Sequence, residues 1–150
     1  MLGKSPDQSQ MNLFQPVLKQ IINPAHELVV LADAFPWDEL EKEFSALYAD
    51  TGAPSKPVRL MTGLLVLKQM FNYSDERLIT EWLQNPYFQY LSGEAEFRWH
   101  KPCDPSDIAH FRKRIGEKGI EKIVLVLKEL QENKSLLRRI FQWFKSGKRG

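Results

Sequence analysis

The stretch Asp104-Pro105-Ser106-Asp107-Ile108-Ala109-His110-Phe111-Arg112-Lys113-Arg114-Ile115-Gly116 holds cations and hydrogen-bond donors at helical spacing. Asp104 suits an N-cap, Pro105 the first helical position, and Asp107 the positive end of the helix dipole. Gly116 suits a left-handed C-terminal cap. Ile108, Phe111 and Ile115 recur at i, i+3 and i+7 and form one narrow apolar stripe. At about 100° per residue, Ser106, His110, Lys113 and Arg114 point away from that stripe, and Arg112 flanks it. A helix anchored on one side and cationic on the other can enter a DNA groove. The same pattern also describes an ordinary solvated face. The candidate DNA-binding residues are Ser106, His110, Arg112, Lys113, Arg114 and Lys118. Arg112, Lys113 and Lys118 suit phosphates, and His110 and Arg114 suit base edges.

Other chemistry finds little support. No nucleophile–base pair and no phosphate-binding glycine loop is present, so no catalytic residue is assigned. Cys103 is the single cysteine and His26, His100 and His110 are scattered. His100 and Cys103 would give two zinc ligands of four, so no metal site and no cofactor are expected. One cysteine also excludes an internal disulfide and fits an intracellular protein. Among the aromatic residues, Trp82, Tyr87, Phe88 and Tyr90 keep helical spacing and read as core. Trp99, between Arg98 and His100, reads as exposed and able to stack on a base.

The net charge of +2 conceals a division. Residues 1–97 carry 7 Lys/Arg and 13 Asp/Glu, whereas residues 98–150 carry 14 and 6. An acidic body with a basic C-terminal third suggests a polyanionic partner for that end. With 43% hydrophobic and 27% charged residues, the chain has an ordinary globular composition. The polar N-terminus lacks a signal-peptide core, and no apolar run approaches the ~20 residues of a membrane span.

The elements that must position the basic helix read as helices punctuated by Pro and Gly. Asn23-Pro24 suits a cap and first position leading into His26 to Ala34. Pro36 opens a helix with Trp37, Leu40, Phe44, Leu47 and Tyr48 on its inner face. Thr51 to Pro57 is a loop. Val58 to Phe71 is apolar enough to be central. Asn72-Tyr73 is a turn, Ser74 caps the next helix, and Asn85-Pro86 separates that helix from another turn ending at Ser92-Gly93. Helix resumes from Gly119 to Leu130, where Glu117 and Glu121 face Lys118 and Lys122. Ser135 to Lys145 forms a last amphipathic helix. Period-two alternation is nearly absent. The expectation is an all-α, compact multi-helix domain with helix-turn-helix-like elements and no sheet. Residues 1–12 form a disordered tail, 13–131 the domain, and 132–150 a basic amphipathic helix and tail. The pair 58–71 and 74–84 resembles a helix-turn-helix. Its second helix bears Asp75, Glu76 and Glu81, which phosphate would repel, so the pair reads as scaffold.

A series of segments is similar to the N-terminal domain of InsH-type bacterial insertion-sequence transposases. They are Ile22-Asn23-Pro24-Ala25-His26-Glu27-Leu28-Val29, Leu47-Tyr48, Gly52-Ala53-Pro54, and Pro57 to Leu65. Ser74-Asp75-Glu76, Trp82, Asn85 to Tyr90, and Asp104 to Gly116 follow in the family's order. The resemblance covers about residues 13–123. It implies a bacterial, cytoplasmic and nucleoid-associated helical domain that recognises terminal inverted repeats in double-stranded DNA. In full-length members an RNase-H-like domain follows, with two Asp and one Glu holding two metals. Only 27 residues remain after Ile123, without a strand pattern, so the expectation is a truncated copy lacking strand-transfer activity. The alternative is a helical interaction protein that pairs with intact transposase and inhibits it, using Trp143 and its apolar neighbours. A homo-oligomer is compatible with either.

Overall fold

The computed structural model describes residues 16–48 and 56–147, with side chains to residue 133. The N-terminal tail, most of the 51–57 loop, the faces assigned to residues 134–145, and Lys148 and Arg149 lie outside what is described. Among the described residues seven α-helices follow one another: α1 (Leu18–Ile21), α2 (Glu27–Ala34), α3 (Trp37–Ser45), α4 (Val58–Phe71), α5 (Asp75–Gln84), α6 (Pro86–Leu91) and α7 (Pro105–Gly147). A 3-10 turn, Ala46–Tyr48, extends α3. The fold is all-α. The described residues contain no strand, only an isolated bridge between Val17 and Glu96.

Helix α4 is buried nearly all round, from Leu60 through Leu67, as its apolar sequence requires of a central helix. It packs against α3, α5 and α7. Gly63 lets the end of α6 approach it: a Cβ there would lie 2.7 Å from the Ser92 Cα. Trp82 of α5 is wholly buried, and its indole N–H donates to the Ser92 hydroxyl at 3.0 Å. Helix α2 packs on α6.

Helix ends follow local chemistry. Asn72 closes α4 in the left-handed conformation (φ 55°, ψ 38°). The Ser74 hydroxyl accepts from the Arg77 N–H at 3.1 Å. Asn85 caps α6 by accepting from the N–H groups of Tyr87 and Phe88, with Pro86 following it.

Three expectations shift. The N-cap of α2 is His26 rather than Asn23: the His26 Nδ1 accepts from the Leu28 N–H at 3.0 Å. Asn23 instead folds a turn ahead of it, accepting from the Ala25 N–H at 2.9 Å. Stacking of the His26 ring on Tyr87, with centroids 3.8 Å apart, holds the imidazole at the cap. Leu47 is 45% exposed, because the α-helical phase ends at Ser45 and the tighter turn carries Leu47 outward. Helix resumes directly after Gly116, without the expected gap to Gly119. Gly116 is the one non-helical residue inside α7 (φ 67°, ψ −175°), dividing it into residues 105–115 and 117–147.

Candidate nucleic-acid interface

The first segment of α7 starts with a reciprocal cap. The Asp107 N–H donates to the Asp104 carbonyl, and the Asp104 N–H donates to the Asp107 carboxylate, both at 2.9 Å. Pro105 occupies the first helical position, where its missing N–H costs nothing. The apolar stripe seats this segment: Ile108, Phe111 and Ile115 are all buried. Phe111 meets Phe44 of α3 edge to face, with centroids 6.0 Å apart.

The segment leading into the helix is held from beneath. Gln89, wholly buried on α6, donates its amide to the carbonyls of Trp82 (3.2 Å) and Arg98 (3.0 Å). Its carbonyl accepts from the Arg98 N–H at 2.7 Å. The Phe97 N–H donates to the Pro16 carbonyl at 2.9 Å. Trp99 projects from this pinned backbone, 53% exposed and edge-to-face with Phe97.

Each candidate residue has a definite place. Ser106, His110, Lys113, Arg114 and Lys118 are exposed, as the angular positions require. Arg112, at the flank, is half-buried and lies 3.4 Å from Asp75 at the start of α5. Asp75 also binds Lys68 at 2.5 Å. The Arg114 guanidinium lies over the Tyr48 ring, 5.0 Å from its centroid.

The cations divide into two groups. Lys122 reaches across to Glu39 and Glu43 of α3 rather than pairing with its helical neighbours. Arg98 pairs with Glu94, Lys101 with Asp104 (3.3 Å), and Arg77 with Glu81 (3.9 Å). Of the basic third, Arg98, Arg112 and Lys122 are thus paired with carboxylates of the acidic body. Among the described residues, no carboxylate stands within ion-pair distance of Lys113, Arg114 or Lys118.

Local periodicity could not reveal Tyr48 beneath Arg114 or Lys56 beside it, since both come from the chain before α4. The single hint was that Leu47-Tyr48 belongs to the series of family-like segments. Among the described residues, no group of three or more His, Cys, Asp or Glu side chains could hold a metal ion. No helix among them is long and apolar enough to cross a membrane.

Residues 16–114 match the family described as "Transposase domain (DUF772)". The chain belongs to that transposase-domain family. The matched region runs from the start of the described residues to Arg114, so it takes in α1 to α6 and nearly all of the cationic segment. The chain is also 38% identical over 124 residues to "Uncharacterized protein ORF8 in nfe locus" of Rhizobium meliloti. That alignment covers 83% of this chain and 60% of the relative, so the chain spans less than two thirds of that protein's length. No solved structure matches the transposase domain.

Proposed function

We propose that this transposase domain binds double-stranded DNA through the outward face of α7 residues 105–118 and recognises the terminal inverted repeats of an insertion sequence. The observation that carries this reading is the set Lys113, Arg114 and Lys118: exposed, without a carboxylate partner among the described residues, on a segment fixed to the core by Ile108, Phe111 and Ile115. Lys113 and Lys118 contact phosphates, with Arg112 sharing its charge between Asp75 and the backbone. His110, Ser106 and Arg114 face base edges. The α4–α5 pair serves as helix-turn-helix-like scaffold. Residues 13–131 form the recognition unit, 132–150 add a basic extension, and the protein works at the nucleoid.

Strand transfer needs carboxylates converging on metal ions. In the basic third, Asp104 and Asp107 are engaged in the helix cap. Glu117, Glu121, Glu129 and Glu132 lie exposed along α7. We therefore assign this chain recognition rather than cutting. Incubation with supercoiled plasmid and Mg²⁺ or Mn²⁺ should leave the plasmid intact, and nicking lost on mutation of these acids would overturn that assignment.

Gel-shift titrations at two salt concentrations test the main reading. Each lost phosphate contact should lower the salt slope by ~0.9. Arg114→Ala should cost ~1–3 kcal/mol and relax selectivity if Arg114 reads a guanine. Salt-independent binding, or none to any duplex, would refute DNA recognition by this surface.

A further inference from the structure

The face of α7 that carries His110 and Arg114 borders a cleft of about 130 Å³. Its other walls come from far away in sequence: Tyr48 from the end of the 3-10 turn, and Lys56 from the residues just before α4. Met61 and Phe111, both buried, close its inner side. Asp107 also lines it, but its carboxylate is occupied by the Asp104 N–H at 2.9 Å.

Several other cations of the acidic body are already engaged. Lys68 sits on Asp75, Arg77 pairs with Glu81, and Arg59 lies over the Trp37 ring at 3.7 Å. Lys56 is half-buried and has no ion-pair partner among the described residues. The cleft thus gathers an ammonium, a guanidinium, an imidazole and a phenol around a space open to solvent. Two fixed positive charges face one carboxylate that is already hydrogen-bonded. Tyr48 holds the guanidinium from beneath, which reduces the side-chain entropy lost when Arg114 binds a ligand. Donors of this kind around a small space fit the oxygens of a phosphate group.

We infer that Lys56, Arg114 and Tyr48 form a phosphate-group site, with His110 on its rim towards the bases, occupied by a backbone phosphodiester when the domain lies on DNA. This rests on the DNA-binding reading above and adds a contact from a second part of the chain. The approach to α4 and the first segment of α7 then grip the same backbone. Arg114 lies at the edge of the site, placed to hold a phosphate with one part of its fork while the segment enters the groove.

The test compares Lys56→Gln, Lys56→Arg and Lys113→Gln with the native chain, using fluorescence anisotropy on one duplex between 50 and 200 mM salt. Lys56→Gln should lower the salt slope by ~0.9, so that this rise in salt costs it about threefold less affinity than it costs the native chain. Lys56→Arg keeps the charge and should keep the slope; it also shows whether any loss in the Gln variant comes from misfolding. A slope unchanged in Lys56→Gln but lowered in Lys113→Gln would overturn the site and leave DNA recognition standing. Titration of the native chain with inorganic phosphate, followed through the His110 ring protons by NMR, separates the two sources of phosphate. Shifts that vanish in Lys56→Gln support the site even if no duplex binds. Their absence in a chain that also binds no duplex refutes both the site and the reading on which it rests.

Discussion

Arg112 and Asp75, 37 residues apart in sequence, face each other at 3.4 Å and tie the cationic segment of α7 to the start of α5. Lys68 of α4 meets the same carboxylate at 2.5 Å and also donates to the Tyr73 carbonyl at 3.2 Å. One carboxylate therefore joins three helices around the turn between α4 and α5. It also separates Arg112, which does structural work, from Lys113 and Lys118, which do none within the described structure.

Asp75→Ala is expected to lower stability by about 1–2 kcal/mol, since two cations lose their partner at a site only partly open to water. Lys113→Ala and Lys118→Ala should leave the melting temperature unchanged within about a degree, because surface changes away from packed or paired groups are nearly neutral. Thermal melts of the three variants check the contrast.

Asp75 also gives a pH dependence. Burial would raise its pKa, but the hydrogen bonds and charges of Lys68 and Arg112 outweigh burial and hold it below its ordinary value. A depressed carboxylate stabilises the fold above its unfolded pKa, about 4, and that contribution is lost as pH falls through the folded value. Urea midpoints should thus drop below about pH 4, and the drop should be smaller in Asp75→Asn.

The two glycines of the α7 bend should respond differently to alanine. Gly116 has φ 67° and ψ −175°, a region almost confined to glycine, yet nothing lies within 4 Å of where its Cβ would stand. Gly116→Ala should cost about 1–3 kcal/mol through the backbone alone. Gly119 is helical, and a Cβ there would come within 2.6 Å of the Ile115 side chain. Its cost is steric and falls mainly on the Ile115 Cβ, which Val keeps, so Ile115→Val, removing only the Cδ1 at 3.0 Å, should rescue Gly119→Ala little and Gly116→Ala not at all. Double-mutant cycles in urea measure both.

Ser92→Ala should destabilise the core by about 1–3 kcal/mol, because it leaves the buried Trp82 indole N–H without an acceptor. Chemical denaturation followed by tryptophan fluorescence reads the loss. An effect under half a kcal/mol would mean that the indole finds another acceptor.

Cys103 should resist thiol reagents in the native state. Burial, with Asp107 nearby, pushes its thiol up to about 11. At pH 8 the folded chain then holds almost no thiolate, and labelling should proceed at the rate of unfolding. The raised value also means that the folded state keeps its proton longer than the unfolded chain, so stability should fall as pH rises from the ordinary thiol range towards 11.

Much of this architecture was legible because its signals are local. Val58 to Phe71 is bounded by Pro57 and Asn72, and Ser74, Asn85 and Asp104 stand at the starts that short polar side chains favour. The stripe Ile108, Phe111 and Ile115 dictated which face of the cationic segment is wet. What was not legible depends on residues distant in the chain. His26 replaces Asn23 as a cap because Tyr87, on another helix, stacks on its ring. Lys122 ignores its helical neighbours because α3 brings Glu39 and Glu43 within reach. Lys56 and Tyr48 reach the candidate interface only through the packing of α3 and α4, which no periodicity reports.

The bend at Gly116 sets the angle between the two arms of α7. Core packing holds both arms of α7, through Ile108, Phe111 and Ile115 on one side and Ile123 and Leu127 on the other. Residues 117–147 form a helix of about 45 Å at the rise of an α-helix. A tilt of about 10° carried from the short arm into this helix would move its far end by about 8 Å, by the same helical geometry. Seating the short arm in a groove would in this way be magnified into a displacement large enough to engage or release whatever lies near the opposite end.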